Sequence, residues 1–510
     1  MKRAHGWSHG WSRPWLMIAV LLTPAGAEAR PTASAPVKIE AWYDFLFHEK
    51  KVGFLQALDE PSSYEGKPAV HSLRRSVLTV RRQDSVIRME AVTDAWCELD
   101  GRPIRFTHTR NEGGSLRKVE GSRQGDVLLV RLDVGGTLEE RKIPLAGEVF
   151  LSANLDYIFK RKLHAGKRLA AKAVIEEEGD ARPLSIAVVG TAKVEEGEAF
   201  VLESDLAGVK STEHVLADGR TVRTVVERLG AEFRISTRER AIALVDPTDI
   251  FSAARILTKT VLPPTDTVDA LVVRLSGRSG RAPKPILDGR QRAVKRAGGS
   301  ASRPLEASVV LQIAAIPPPK RSSSPRRPIR DRSLQRYLAA TPYEALDDER
   351  LVTASKEAVG DASDAWDAAR GINAFVHRRI KNKSLAQAFS TAVEALSSGE
   401  GDCTEHSVLF SALAKIAGIP TRLVTGLVYV GTADGIFGYH EWVEVWIGDR
   451  WVPMDPTFGQ DLADPTHIKF SEGLSDGDGL REAGVVAAEL FGDLDLEVIE
   501  WAVDGNLHRR

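Results

Sequence analysis

The chain has 510 residues, of which 43% are hydrophobic and 27% are charged, so it should fold into two or three globular domains rather than stay disordered. Its 69 basic and 70 acidic residues give a net charge of -1, which excludes a global field that recruits nucleic acid or an anionic membrane. We therefore expect no nucleic-acid partner, and any basic binding site must be local.

The first residues have the features of an export signal. Lys2 and Arg3 supply a positive start, and residues 15–22 form a short apolar run. Ala27-Glu28-Ala29 then fits the small-x-small pattern that signal peptidase cleaves. The apolar run is short for a membrane span and no later stretch reaches that length, so we expect no integral span after cleavage. The sequence predicts a signal peptide at residues 1–29 and a periplasmic or secreted protein, with an uncleaved anchor as the alternative.

Residues 37–250 are predicted to form a large β-rich antiparallel domain. Short runs of branched or alternating apolar residues occur at residues 76–80, 126–132 and 185–189, and glycine-containing turn signals separate such runs. One helical exception is expected near residues 154–162. No catalytic constellation is evident in this region, so its role stays open between binding a substrate, binding a partner and covering an active site.

Residues 251–334 differ in composition from the region before them. Two strands are expected there, at residues 268–275 and 307–316, among many basic side chains. Residues 317–328 then combine proline, serine and arginine at a density that cannot bury a core. We interpret this region as a strand-containing basic linker, with a patch for an anionic envelope polymer as the alternative.

Residues 335–510 form the predicted catalytic domain, where apolar residues recur at helical spacings of three and four. One helix is predicted over residues 361–380. Another begins at Thr391, where Glu394 completes a capping box. A third helix opens at Gly401-Asp402-Cys403 and precedes a predicted pair of strands.

Cys403 is a candidate nucleophile because of its place at the start of a helix. The thiolate attacks carbonyl groups, and the partial positive charge of a helix start lowers the pKa of a cysteine. A disulfide with Cys97, the other cysteine of the chain, would consume this nucleophile, so we expect both thiols to be reduced and Cys97 to lie in the core. A zinc site at Cys403 lacks suitably spaced ligands, so we predict no metal and no cofactor.

A predicted hairpin supplies a base and a carboxylate. His440 and Trp442 share one face of its first strand, and a Gly-Asp pair fits a two-residue turn. A tight turn pairs Ile447 with Arg450. This register puts Asp455 opposite Trp442 and diagonally across from His440. Diagonal neighbours lie about 7–8 Å apart at the backbone, within reach of a carboxylate and an imidazole.

Four motifs in this order resemble the transglutaminase-like superfamily. They are Gly-Asp-Cys-Thr-Glu-His at residues 401–406, Gly-Ile-Pro-Thr-Arg at 418–422, His-Glu-Trp-Val-Glu-Val at 440–445 and Trp-Val-Pro-Met-Asp-Pro-Thr at 451–457. The resemblance covers roughly residues 335–470. It implies that Cys403 is the nucleophile, His440 the base and Asp455 the carboxylate that orients the base. It also implies a papain-like core, with a helical part packed on an antiparallel sheet.

The whole chain is therefore expected to be α+β, with a papain-like transglutaminase core at the C-terminus and the β-rich antiparallel domain before it. The resemblance implies acyl transfer on amide bonds through a thioester, with hydrolysis of a peptide or protein amide, such as a cell-wall peptide, as the first hypothesis. A protein-crosslinking transglutaminase and a non-catalytic envelope binding or scaffold protein are the alternatives. Glu405, Tyr439 and Trp442 are the candidate substrate contacts, although Glu405 also favours the helix start and a tryptophan such as Trp442 more often belongs to the core of the sheet.

Overall fold

The computed structural model describes most of residues 37–509, so the predicted leader at residues 1–29 lies outside the described residues. Within that span, the stretches not described are residues 83–84, 113–114, 227–228, 244–247, 250–254, 279, 295–307, 321–323, 383–389, 432–434, 477–478, 480–482, 485 and 487–492. The chain divides into two compact units, residues 1–248 and residues 249–510.

The first unit consists mainly of strands that form one sheet. The strands are β1 (Ile39–Phe47), β2 (Lys50–Tyr64), β3 (Lys67–Arg82), β4 (Ser85–Glu98), β5 (Pro103–Glu112), β6 (Ser115–Gln124), β7 (Val127–Val134), β8 (Thr137–Pro144), β9 (Val149–Leu151), β10 (Arg168–Ile175), β11 (Asp180–Val194), β12 (Gly197–Leu206), β13 (Val209–Leu216), β14 (Thr221–Val226) and β15 (Ala231–Ser236). Their order in the sheet is β8-β7-β6-β5-β4-β3-β2-β1-β15-β14-β13-β12-β11-β10-β9. Neighbours are antiparallel except β9 and β10, which run parallel.

The alternation read from the sequence explains these strands. In β7, Leu128, Val130 and Leu132 are buried and belong to one apolar core, while the side chains between them are more exposed. The predicted runs 76–80 and 185–189 lie within β3 and β11, and the run 126–132 lies within β7 except for its first residue. The helix expected near residues 154–162 is α1 (Leu155–Phe159), and a second short helix, α2 (Arg238–Ile242), follows β15.

The second unit combines helices with two sheets. Its described helices include α3 (Glu349–Val359), α4 (Ala365–Arg379), α5 (Ala392–Ser398) and α6 (Cys403–Ile416). After the short β16 (Thr248–Asp249) at the unit boundary, its strands are β17 (Ile256–Leu257), β18 (Val268–Gly277), β19 (Gln291–Ala293), β20 (Ser308–Ala314), β21 (Thr421–Tyr429), β22 (Ile436–Ile447), β23 (Arg450–Met454), β24 (Ile468–Gly473), β25 (Leu494–Val503) and β26 (Asn506–Arg509).

The two sheets of this unit share one apolar core. One five-stranded sheet has the order β17-β22-β21-β24 with β23 on β22, and the other has the order β19-β20-β18-β25-β26. Leu427 and Phe437 from the first sheet pack with Leu271, Ile313 and Leu496 from the second. Each such side chain contributes about 1.5–3 kcal/mol when it is fully buried, so this core fixes the sheet that carries β22.

Residues 251–334 do not form the separate linker that their composition predicts. The two predicted strands are β18 and β20, and β18 pairs with both β20 and β25, so they belong to the second unit. The described part of the proline-rich segment is also anchored: the Arg327 guanidinium donates to the Ala362 carbonyl at 2.8 Å, and the Ile329 N–H donates to the Gly418 carbonyl at 2.9 Å. Composition misses this because a partner strand far along the chain leaves no local signature.

The predicted helices are present near the expected positions. α4 lies within residues 361–380, and α5 follows the capping box of Thr391 and Glu394. α5 ends at Gly399, whose φ of +67° is the left-handed conformation that glycine adopts without a steric penalty. None of the described helices is both long enough and apolar enough to cross a membrane.

Candidate active site

The first turn of α6 holds Cys403 in a defined position. Asp402 is the N-cap and accepts from the Thr404 N–H at 2.7 Å, while Glu405 accepts from the Asp402 N–H at 2.9 Å, which completes a capping box. Gly401 has a φ of +154°, and a Cβ at this position would lie 2.3 Å from the Cβ of Glu405. A glycine is therefore required for Glu405 to reach back over the start of the helix.

Glu405 is enclosed by the protein. It is 1% exposed, and its Oε1 accepts from the Ser390 N–H at 2.9 Å while its Oε2 accepts from Asp402. Burial, and then the neighbouring charge of Asp402, raise the pKa of Glu405 to about 8. The structure argues against the predicted contact between Glu405 and a substrate, because both carboxyl oxygens hold the backbone around the helix start.

Helix α6 lies against the strand that carries the candidate base. The Ser407 hydroxyl donates to the Glu441 carbonyl at 3.3 Å. Ser407 is about one turn after Cys403, and Glu441 directly follows His440, so this contact puts the cysteine end of the helix beside the strand of His440. Cys403 is part-exposed. Both cysteines are free thiols and Cys97 is buried, as the sequence predicts.

Tyr439 directly precedes His440 on β22, and its hydroxyl donates to the Ala483 carbonyl at 3.5 Å. Burial of its hydroxyl raises the pKa of Tyr439 well above its usual value, and the negative charges of Glu441 and Cys403 add to this effect. The Tyr439 side chain as a whole is only half-buried, and its contact with a substrate stays a prediction.

The hairpin of β22 and β23 has the predicted register up to its last pair. Ile447 pairs with Arg450 across the two-residue turn, and the ladder ends one pair before the predicted pair of Trp442 and Asp455. Asp455 instead forms a bridge with Gln460, because the chain turns immediately after β23. The carboxylate still reaches His440 from this position.

Asp455 is a fully buried carboxylate that accepts four hydrogen bonds. Its Oδ2 accepts from His440 Nε2 at 2.8 Å and from His467 Nε2 at 3.0 Å. Its Oδ1 accepts from the backbone N–H groups of Thr457 at 2.7 Å and Phe458 at 3.1 Å. Burial alone would raise the pKa of Asp455, but the charge and hydrogen bond of His440, and then those of His467, hold it well below its usual range. The carboxylate is therefore ionised at physiological pH and orients both rings.

His467 is a site residue that no sequence motif predicted. It is fully buried directly before β24, and its Nδ1 faces the Asp464 carbonyl at 3.2 Å. Burial would lower the pKa of His467, but its hydrogen bonds to Asp455 and Asp464 and their charges raise it to about 9. The pairing of β21 with β24 brings His467 to the site, and no local pattern in the sequence reveals that pairing.

Two aromatic rings lie nearly parallel to the imidazole of His440. The Phe458 ring is 4.9 Å away between centroids with an interplanar angle of 11°, and the Trp442 ring is 6.2 Å away at 18°. Trp442 is 0% exposed, which argues against the predicted substrate contact and for a place in the core of the sheet. Phe458 is 40% exposed beside His440, and the sequence analysis did not single it out.

The group His440, Asp455 and His467 also has the composition of a metal site. Its possible ligand atoms all lie within 4.8 Å of one another. Two ligands on one tetrahedral zinc ion lie about 3.4 Å apart when each bond is about 2.1 Å. The separations of 2.8 Å and 3.0 Å from Asp455 Oδ2 are shorter than this, so they fit hydrogen bonds between the rings and the carboxylate.

One protein family matches part of the chain. Residues 353–456 match the model of the Transglutaminase-like superfamily. This stretch is a transglutaminase-like domain. It contains Cys403, His440 and Asp455 and ends before His467. None of the curated proteins matches the chain.

Solved structures resemble the chain only weakly. The "putative cysteine protease" of Cytophaga hutchinsonii is 13% identical with a TM-score of 0.30, over 48% of this chain and 86% of that chain. A beta-barrel-like protein of unknown function from Brucella abortus is 10% identical with a TM-score of 0.28, over 39% of this chain and 95% of that chain. The "putative protease" of Parabacteroides distasonis is 10% identical with a TM-score of 0.18, over 70% of this chain and 68% of that chain. At these TM-scores the family match alone supports the transglutaminase-like domain.

Proposed function

We propose that the transglutaminase-like domain is a cysteine-dependent enzyme that cleaves amide bonds through a thioester on Cys403. The observation that carries this proposal is the 2.8 Å hydrogen bond between His440 Nε2 and Asp455 Oδ2, beside a helix that begins at the cysteine. A carboxylate accepts but does not donate, so the bonded nitrogen carries the proton. The other nitrogen of His440, Nδ1, is then the one that exchanges a proton with a thiol.

Acylation uses these groups in a papain-like arrangement. His440 takes the thiol proton at Nδ1, which gives a thiolate and an imidazolium. The sulfur attacks the carbonyl carbon, a C–S bond forms and the carbonyl oxygen becomes negative. The positive end of the α6 dipole lies at Cys403 and stabilises this oxyanion. When the C–N bond breaks, His440 gives its proton to the departing amine.

Deacylation completes the cycle by hydrolysis. His440 Nδ1 takes a proton from a water molecule, the water oxygen attacks the thioester carbon, and the sulfur leaves as a thiolate that His440 reprotonates or holds as an ion pair. An amine in place of water would give crosslinking with the same residues. Asp455 holds the imidazole in its tautomer during both halves of the reaction.

The substrate is proposed to be a peptide or protein, cell-wall peptides included. His440 is 4% exposed and Asp455 is 0% exposed, whereas Cys403 is part-exposed, so an amide group reaches the site from the side of the sulfur. The exposed face of Phe458 offers an apolar surface to a substrate side chain near His440. On the features of residues 1–29 we also propose that the protein acts in the periplasm or outside the cell.

The test compares the full chain with the variants Cys403→Ala and Cys97→Ala on a mixture of peptides that includes cell-wall peptides and a labelled primary amine. Mass spectrometry follows new peptide termini and amine adducts. We expect the parent and Cys97→Ala to form new carboxyl termini, and Cys403→Ala to form them at least about 1,000-fold more slowly. Cleavage by Cys403→Ala at the parent rate would refute the proposal, and amine adducts in place of new termini would assign crosslinking.

A further inference from the structure

His467 binds the same carboxylate oxygen as the proposed base. Its Nε2 donates to Asp455 Oδ2 at 3.0 Å, and the centroids of the His467 and His440 rings are 5.7 Å apart. His467 is 0% exposed, so no solvent weakens this contact. The match to the family model ends at residue 456, and the family therefore assigns no role to this ring.

The other side of the His467 ring is also held by an acceptor. Its Nδ1 lies 3.2 Å from the Asp464 carbonyl oxygen and 3.4 Å from Asp464 Oδ1. Asp464 is itself fixed, because its Oδ1 accepts from the Thr466 N–H at 2.8 Å and from the Thr466 hydroxyl at 2.6 Å. Both ring nitrogens of His467 thus face acceptors, which is the hydrogen-bonding pattern of a protonated imidazole.

We propose that His467 is a positioning residue of the proposed triad: as a buried imidazolium it shares Asp455 with His440 and makes His440 a weaker base. This inference rests on the proposed function. A positive charge on the far side of Asp455 offsets part of the negative charge that stabilises the imidazolium of His440. His440 then releases its proton more readily to the departing amine.

The charged groups around His467 determine whether its charge makes His440 a weaker or a stronger base. Within the described residues, the charged groups that contact it are Asp455, Asp464 and Arg290, whose guanidinium donates to the His467 carbonyl at 3.1 Å, and His440 lies across Asp455. Burial would raise the pKa values of Asp455 and Asp464, but hydrogen bonds and neighbouring positive charge outweigh burial and hold both well below their usual range. Because His467 and His440 share Asp455 Oδ2, removal of the His467 charge must favour the imidazolium of His440.

The experiment measures the rate at which iodoacetamide alkylates Cys403 in the full chain as a function of pH, with mass spectrometry to assign the modified cysteine. A thiolate–imidazolium pair gives two steps in this profile, a lower one for the thiol and an upper one for the imidazolium. His467→Gln keeps an N–H donor for Asp455 and removes the charge. Asp464→Asn keeps His467 but removes the anion that helps to hold its proton.

We expect the upper step to move up by about one pH unit in His467→Gln, since two charges this close interact by that order at the effective dielectric of a buried site. Asp464→Asn should move it in the same direction by a smaller amount. The lower step should rise less, because the thiol is not bonded to Asp455. A purely structural His467 would lower the thermal midpoint of both variants without moving either step.

The outcomes separate this inference from the proposed function. If the parent Cys403 shows one step, like an ordinary thiol near about pH 8.5, the thiolate–imidazolium pair does not exist and the proposed function fails. If the parent shows two steps and His467→Gln or a folded Asp464→Asn leaves the upper step in place, only the role of His467 is refuted.

Discussion

The capping role of Glu405 predicts a large and localised loss of stability in Glu405→Ala. Two backbone N–H groups, those of Ser390 and Asp402, lose the carboxyl group that accepts from them, at a site that is 1% exposed. A lost helix cap costs about 1 kcal/mol and a buried donor without its acceptor about 1–3 kcal/mol. The raised pKa of Glu405 shows that burial of its charged form is unfavourable. Removing this carboxyl group therefore regains part of the lost stability. We expect a net loss of about 3 kcal/mol.

Hydrogen exchange of the full chain tests this prediction at the level of one helix. A loss of about 3 kcal/mol lowers the protection of the α6 amides by roughly 100-fold. Glu394→Ala is the matched control, because Glu394 closes the capping box of α5 at a half-buried position and should cost only about 1 kcal/mol. If Glu405→Ala exchanges like the parent in α6 but cleaves peptide more slowly, the capping argument is wrong and the side chain contacts substrate after all.

Three further changes test the site. Asp455→Asn puts an amide where the N–H groups of two imidazole rings now converge. We expect turnover to fall by about 1,000- to 10,000-fold while hydrogen exchange of the α6 amides stays unchanged, and a loss of turnover below about tenfold would contradict the orienting role of Asp455. Phe458→Leu removes the ring stacked on His440, and alkylation of Cys403 should slow by about 2- to 10-fold. An unchanged rate would show that the stacking does not affect the reactivity of Cys403. The pKa of His467 is about 9 in the folded chain and about 6.5 in an unfolded one. The stability that the protonated ring gives the fold is therefore complete below about pH 6.5 and is lost as the pH rises through about 9. The unfolding free energy measured with urea should fall by up to about 3 kcal/mol more over that range in the parent than in His467→Gln, because Glu405 titrates in both proteins, and equal slopes would contradict the raised pKa of His467.

The parts of the site that sequence could predict are those fixed by neighbours along the chain. A cysteine after Gly-Asp, with a glutamate two residues later, specifies a capped helix start because the capping box spans four consecutive positions. The Gly-Asp turn fixes the register that brings Asp455 within reach of His440, since a two-residue loop allows little choice of pairing. Local sequence patterns thus predict the helix start at Cys403 and the contact between His440 and Asp455.

The parts that sequence missed depend on pairings between distant segments. β18 pairs with β25, but the sequence of neither strand identifies its partner. Residues 251–334 therefore have the composition of a linker although they belong to a sheet. Burial is equally invisible in the sequence: Glu405 and Trp442 have the residue types of substrate contacts, but the structure encloses both. His467 reaches the site only through the pairing of β24 with β21.

The segment that composition marks as a linker helps to position this second histidine. Arg290 donates to the carbonyl of His467, and Gln291 donates through Nε2 to the carbonyl of Lys469 at 2.8 Å, so both hold the start of β24. The Lys469 ammonium also lies 3.1 Å from an Asp288 carboxylate oxygen, and this ion pair is only partly open to solvent. Because backbone and side-chain bonds from residues 288–291 converge there, the orientation of His467 depends on a region outside the family match. A fragment limited to residues 353–456 would keep Cys403, His440 and Asp455 but would lose both His467 and the segment that fixes it.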